Sequence, residues 1–251
     1  MKLNVIASGS SGNGYILEGQ NSALVLECGV APERLMRATT CPLSHIAGCL
    51  ITHEHGDHAK YSGRYADLGL DVYSSAGTLH ALGLHGHRCH PLAPMLSCRL
   101  GEFTIRSFPV HHDAAEPFGY MIEHPDMGRL LFITDTRQVD YTFRSYKLSH
   151  IVAEANYSDD VLEANVLGGR IDGHRARRIR DTHLSLSGAC ELVKANETEA
   201  LRTVTLIHLS AGNSDAEAFA SRMRQNVLLA DVFIARPGLS VNLNKNQFET
   251  K

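Results

Sequence analysis

With 251 residues and 43% hydrophobic content the chain can bury a large core, and one compact domain is the natural expectation. Its 24 basic and 27 acidic residues give a formal charge of -3, which excludes the global basic field of a nonspecific nucleic-acid binder, so any affinity for polyanions has to be local. Six cysteines without a C-x-x-C pair exclude a thiolate zinc site and a dense disulfide framework, and they fit a reducing cytoplasm.

In chain order, Leu3 to Ala7 reads as a buried strand ending at the turn Ser8-Gly-Ser-Ser-Gly-Asn13, which is too polar and too early for a signal peptide. Tyr15 to Glu18 and Ala23 to Cys28 continue a strand meander, Pro32 to Ala38 has helical character, and Gly48 to Thr52 is a short apolar strand. Lys60 to Leu68 and Ser75 to Leu82 read as helices around a strand at Asp71 to Tyr73. Phe103 to Val110, Phe118 to Glu123, Arg129 to Ile133 and Ile151 to Glu154 restore a strand pattern. Gly168 to Asp181 reads as a polar, Arg-rich stretch. It is followed by a helix (Ser185 to Asn196), a strand (Val204 to His208), a helix (Asp215 to Asn226) and a strand (Asp231 to Ala235). The tail from Asn242 is polar and expected to fray, and no run reaches membrane-spanning length. Strands followed by helices in each half suggest two stacked sheets with helices outside.

The chemistry concentrates in Thr52-His-Glu-His-Gly-Asp-His-Ala59, just past a strand. His53 and His55 alternate around Glu54, so an extended backbone points both to one side, and Asp57 and His58 follow a glycine that frees the turn. Imidazole and carboxylate together suit divalent ions such as zinc or manganese. One loop cannot complete two coordination spheres, and the candidates for the rest stand at other strand ends: His111-His112-Asp113, Asp135 and His208. Any one of them alone reads more readily as a surface or structural residue; their joint placement makes the case. A carboxylate such as Asp135 can bridge two cations, which can then share a hydroxide and clamp a phosphoryl or acyl oxygen. His80, His85, His87 and His90 include no carboxylate and are expected to be incidental in a surface loop.

Ala7-Ser-Gly-Ser-Ser-Gly-Asn13, Ile51-Thr-His-Glu-His-Gly-Asp-His58, His112-Asp-Ala114, Pro117-Phe-Gly-Tyr120, Ile133-Thr-Asp135, Glu154-Ala-Asn-Tyr157, Thr182-His-Leu-Ser185 and Ile207-His-Leu-Ser210 follow one another in an order that is informative. Through them the chain resembles the metallo-β-lactamase-fold hydrolases, and within these the YycJ/WalJ-like branch related to ribonuclease Z. The resemblance implies an α+β, four-layer αββα sandwich of two mixed sheets, with one hydrolase domain over 1–245 and a polar tail at 246–251. It also implies two divalent ions, zinc or manganese, one on His53, His55, His112 and Asp135 and the other on Asp57, His58, Asp135 and His208. Asp57, Glu154 and His183 are implied as catalytic, the last two as a carboxylate and imidazole pair at the scissile phosphate and leaving group.

Arg170, Arg175, Arg177, Arg178 and Arg180 lead into His183, and Arg175, Arg177, Arg178 and Arg180 are candidates to hold substrate phosphates; a solvated helical face is the other reading. Glu27 stands where such families usually carry Asp, and is expected to brace the metal loop as a hydrogen-bond acceptor. The implied activity is that of a phosphodiesterase on nucleic acid or nucleotides, most concretely a nuclease acting on single strands. The chain has no room for a large inserted nucleic-acid-binding domain, so opening of cyclic nucleotides is a rival. Thioester or lactam hydrolysis needs neither the Glu154 and His183 pair nor the arginines, and a binding protein without turnover would lack a ligand, whereas all seven positions are filled.

Overall fold

A computed structural model of the chain describes residues 1–245; the tail expected at 246–251 lies outside the described residues. Strands β1 (Lys2–Ala7), β2 (Gly14–Glu18) and β3 (Ala23–Leu26) lead to helix α1 (Pro32–Ala38), β4 (Ile46–Leu50), α2 (Gly56–Ala59) and α3 (Ser62–Asp67). Next come β5 (Val72–Ser74), α4 (Ala76–Ala81), β6 (Cys89–Pro91), β7 (Ser97–Leu100), β8 (Phe103–Pro109), β9 (Phe118–His124), β10 (Gly128–Ile133) and β11 (His150–Glu154). Helices α5 (Asp159–Leu167), α6 (Gly173–Thr182) and α7 (Leu186–Asn196) precede β12 (Thr203–Ile207), and α8 (Ala216–Arg224), β13 (Asp231–Ile234) and β14 (Ser240–Asn242) close the described chain. The strands belong to two mixed sheets, as expected for the α+β class. Among the described residues no helix is long and apolar enough to cross a membrane.

The chain forms two compact units. The first comprises Met1–Pro109, Ala114–Gly128 and, among the described residues, 235–245. Its seven-stranded sheet runs β14-β1-β2-β3-β4-β5-β6, antiparallel from β14 to β3 and parallel from β3 to β6. Central β3 is buried at every position, as an apolar run covered on both faces requires. Val25, Cys49, Ile51, Leu35 and Tyr65 share its core. The same unit holds the antiparallel β7, β8 and β9.

The second unit comprises Val110–Asp113 and Arg129–Ile234. Its β10, β11, β12 and β13 are parallel neighbours in that order, so their C-terminal ends share one edge. β11 and β12 are fully buried. Helix starts are set by side-chain caps: Ser158 accepts from the Val161 amide, Asp172 from Arg175, Ser185 from Gly188 and Asp215 from Ala218.

The polar, Arg-rich stretch is a helix, α6, and a second helix, α5, precedes it. Only a narrow apolar stripe holds α6: Ala176 and Ile179 pack with Tyr157, Leu162 and Val166. For the described residues 242–245 the expected fraying is corrected, because Asn242 pairs with Lys2 in β14 and the Leu243 amide donates to the Met1 carbonyl. Bonding to β1 outweighs the polar character of these residues.

Candidate metal centre

In the first unit, β4 ends at Leu50 and the chain runs extended through Thr52 and His53 before α2 begins at Gly56. The His53 ring centroid lies 4.7 Å from that of His55 and 4.3 Å from that of His58. His58 Nε2 is 3.3 Å from Asp57 Oδ2, so all four residues of the loop come together.

Glu27, fully buried, orients two of these rings. Thr52 Oγ1 donates to Glu27 Oε1 at 2.6 Å, which leaves it as the acceptor for His53 Nδ1 at 3.0 Å and makes Nε2 the lone-pair edge of His53. The Thr52 amide donates to Glu27 Oε2 at 3.3 Å, and His58 Nδ1 lies 3.4 Å from Glu27 Oε1. Glu27 thus reaches His53 through Thr52 and faces His58 Nδ1 across 3.4 Å. Backbone contacts fix the rest. Asn13 donates from its amide to the Asp57 carbonyl at 2.7 Å, Cys28 to the His58 carbonyl at 2.7 Å, and Gly29 to the Asn13 carbonyl at 3.0 Å. A Cβ on Gly29 would stand 1.7 Å from the Asp57 carbonyl oxygen, so only glycine lets the two segments approach this closely. Glu54 Oε1 accepts from the Ala115 amide at 2.7 Å and so anchors the loop without joining the donors.

In the second unit the donors come from separate segments. One ligand atom from each of Asp135, Glu154, His183 and His208 lies within 4.8 Å of the others. Asp135 follows β10, Glu154 ends β11 and His208 follows β12, so the shared edge of parallel strands gathers them. Glu154 is in register with Ile207, beside His208. Asp135 and His208 take left-handed conformations, with φ of 44° and 53°, as does Glu27 in the first unit with φ of 67°. Non-glycine residues at such φ are uncommon and cluster at functional sites; here each turns the chain away at a strand end.

His183 caps the C-terminus of α6, and its Nδ1 lies 2.7 Å from Glu154 Oε1. A carboxylate only accepts, so Nδ1 carries the proton and Nε2 faces away from Glu154. Glu154 Oε2 also accepts from the Leu184 amide at 3.0 Å and the Thr136 amide at 3.3 Å, which fixes this buried carboxylate from three directions. His208 Nδ1 lies 2.5 Å from Asp135 Oδ1. His112 Nδ1 donates to the Thr182 carbonyl at 2.8 Å, leaving Nε2 as its lone-pair edge, 3.6 Å from Asp135 Oδ2. Burial pushes the His112 imidazole below its ordinary range, opposed by the Asp135 charge.

Buried carboxylates and imidazoles at these separations form a nitrogen and oxygen donor set that fits divalent ions of the zinc type, and a cation would offset the cost of crowding the two acids.

Not every candidate joins the donors. His111 Nε2 lies 2.5 Å from Asp140 Oδ2 in an exposed pair. His80, His85 and His87 are exposed, and His90 stacks on Tyr73 with its Nε2 3.5 Å from Asp71. Arg175, Arg177, Arg178 and Arg180 all lie exposed on α6. Arg178 is paired with Asp113, Arg180 stands 3.7 Å from Asp159, and Arg170 Nε donates to Asn165 at 2.5 Å. The roles of Thr52, Gly29 and Thr182 were missed by sequence reasoning. Thr52 and Thr182 do border histidines in the quoted motifs, and that adjacency was the available signal.

Residues 26–209 match the model of the beta-lactamase superfamily domain. The exodeoxyribonuclease YycJ of Bacillus anthracis is 29% identical over 230 residues, covering 86% of this chain and 85% of that protein. The exodeoxyribonuclease WalJ of Streptococcus pneumoniae is 27% identical over 250 residues, covering 92% of this chain and 90% of that one. The metallo-beta-lactamase fold protein YhfI from Bacillus subtilis shares the fold, with a TM-score of 0.74 at 17% identity over 95% of this chain and 98% of that one.

Proposed function

The chain belongs to the beta-lactamase superfamily, and from that premise we propose that it is a metal-dependent phosphodiesterase, a nuclease of exonuclease type on single-stranded DNA or RNA. The Glu154 and His183 pair carries this reading: a buried carboxylate holds an imidazole at 2.7 Å through Nδ1, the arrangement of a positioned general acid. The names of the two exodeoxyribonuclease relatives, matched over 86% and 92% of this chain, support the same chemistry.

In this reading residues 1–245 work as one catalytic domain in the cytoplasm. By the family resemblance, His53, His55, His112 and Asp135 would hold one divalent ion and Asp57, His58, Asp135 and His208 the other, zinc or manganese in each case. When bound, the two ions would supply Lewis acidity and activate a water at neutral pH. Glu27, Thr52 and Asn13 keep the rings of the first unit aimed. Asp57 accepts the proton of the attacking water. His183, doubly protonated with Nδ1–H committed to Glu154, gives its Nε2 proton to the leaving oxygen and becomes neutral. Arg175, Arg177, Arg178 and Arg180 line the approach of the strand's phosphates.

A substrate panel with added manganese or zinc tests the proposal, comparing 5′-phosphorylated single strands, duplexes, cyclic nucleotides and an acyl thioester. Single strands are expected to turn over fastest. Preferential opening of a cyclic nucleotide would replace the polynucleotide by a small substrate, and turnover of the thioester alone would overturn the phosphodiesterase reading.

A further inference from the structure

Among the arginines of α6, Arg178 already grips an anion. Its Nε and Nη2 donate to one oxygen of Asp113, Oδ2, at 3.2 and 3.0 Å. The other oxygen, Oδ1, lies 3.4 Å from His112 Nε2. Because His112 Nδ1 donates to the Thr182 carbonyl, Nε2 is the edge that would face a bound cation. The Asp113 carboxylate thus lies between a guanidinium fork and the lone-pair edge of a candidate metal ligand. A phosphodiester's two non-bridging oxygens call for the same neighbours, a planar cationic fork on one side and a Lewis-acidic centre on the other.

Two further observations favour exchange at this place. The Arg178 and Asp113 side chains are 64% and 42% exposed, so their pair contributes little to stability and opens at small cost. The place is also tied to the proton donor. Thr182 Oγ1 donates to the Arg178 carbonyl at 2.7 Å, and the His183 amide donates to the Ile179 carbonyl at 3.0 Å, so Arg178 stands on the helical turn that delivers His183.

We propose that Asp113 is a resident stand-in for a substrate phosphate, holding Arg178 in its binding geometry until a phosphate of the incoming strand takes over that place. The inference rests on the phosphodiesterase reading and assigns within it the arginine that grips the phosphate and the acid that competes for it. In the empty site the pair keeps the guanidinium oriented, and ligands too weakly charged to displace a carboxylate are disfavoured.

The test is equilibrium binding of a fluorescent single strand with phosphorothioate linkages to the metal-loaded protein, followed by anisotropy over a salt series. Asp113→Asn should tighten binding about threefold to fivefold, the scale of an exposed ion pair. Arg178→Ala should weaken it and lower the salt slope by about one. In the Arg178→Ala background, Asp113→Asn should change nothing further. Weaker binding in Asp113→Asn, or equal tightening with and without Arg178, would overturn the proposal, the second because it reports only a lost negative charge. Unchanged melting temperatures keep the comparison free of folding effects. Should the expected binding pattern appear in a protein that cleaves no phosphodiester, the catalytic reading fails while the phosphate seat stands; cleavage without the pattern removes the seat alone.

Discussion

In the first unit four donors come from one loop, His53 to His58, while in the second Asp135, Glu154, His183 and His208 come from four segments between positions 135 and 208. The loop depends on backbone: the Asp57 and His58 carbonyls accept from Asn13 and Cys28, and Gly29 leaves room for Asp57. The strand-end group depends on side chains, with Glu154 anchored by two amides and by His183. A single side-chain deletion should therefore act locally in the second unit, whereas the first is most exposed to changes in its backbone neighbours.

The largest effect should come from the strand-end group, and it separates two roles within it. Asp135→Ala or His208→Ala should cost bound metal together with activity, and exhaustive chelation of the unmodified protein should abolish turnover. His183→Ala should lower the rate by roughly 10²–10⁴-fold, the usual worth of a general acid, while leaving metal content intact. Metal analysis beside single-turnover rates decides. Equal metal loss in the His183 and His208 variants would make His183 a ligand, and full activity after chelation would remove the metal from the reaction.

A smaller effect, of a different kind, is expected in the first unit. Gly29→Ala places a Cβ 1.7 Å from the Asp57 carbonyl oxygen and should destabilise by about 3 kcal/mol or more, an overpacking cost without a side-chain end to yield. For a chain of this size the melting temperature should fall by several degrees. Gly56→Ala is the control: it lies in the same loop, its Cβ meets nothing within 4 Å, and melting should be nearly unchanged. Equal shifts in the two variants would deny that close backbone approach holds the loop.

The same contrast explains what could be read before folding. His53 to His58 is contiguous and follows an apolar strand, so its chemistry shows in a short window. Asp135 and His208 each end an apolar run, which marks them as candidates but not as partners. Glu154 and His183 became legible only through the family resemblance, since nothing local joins a strand end to a helix cap across the intervening chain. Gly29 could not be read at all, because its requirement is a carbonyl contributed by Asp57. Helix α6 escaped notice because Arg175, Arg177, Arg178 and Arg180 hide a stripe as thin as Ala176 and Ile179. The short β6 escaped because three residues ending in Pro91 carry no alternation.

Glu27 is where the two modes meet, a side chain serving the backbone-built loop. It accepts from Thr52 Oγ1 and the Thr52 amide and faces His58 Nδ1. Replacing it with the isosteric Gln preserves volume but turns one end of the group into a donor, so either Thr52 or His58 meets a donor of its own kind. Metal affinity should fall about 10–100-fold, the usual cost of losing a partner behind a ligand, with melting little changed in the metal-free protein. Glu27→Asp keeps the charge on a shorter arm that cannot serve Thr52 and His58 together, and should fall between Gln and the parent. Thr52→Val removes only the link to His53 and should cost less than Glu27→Gln. Metal titration of the three variants orders them, and a Glu27→Gln protein that binds metal as tightly as the parent would reduce Glu27 from a brace of the ligands to packing beneath the loop.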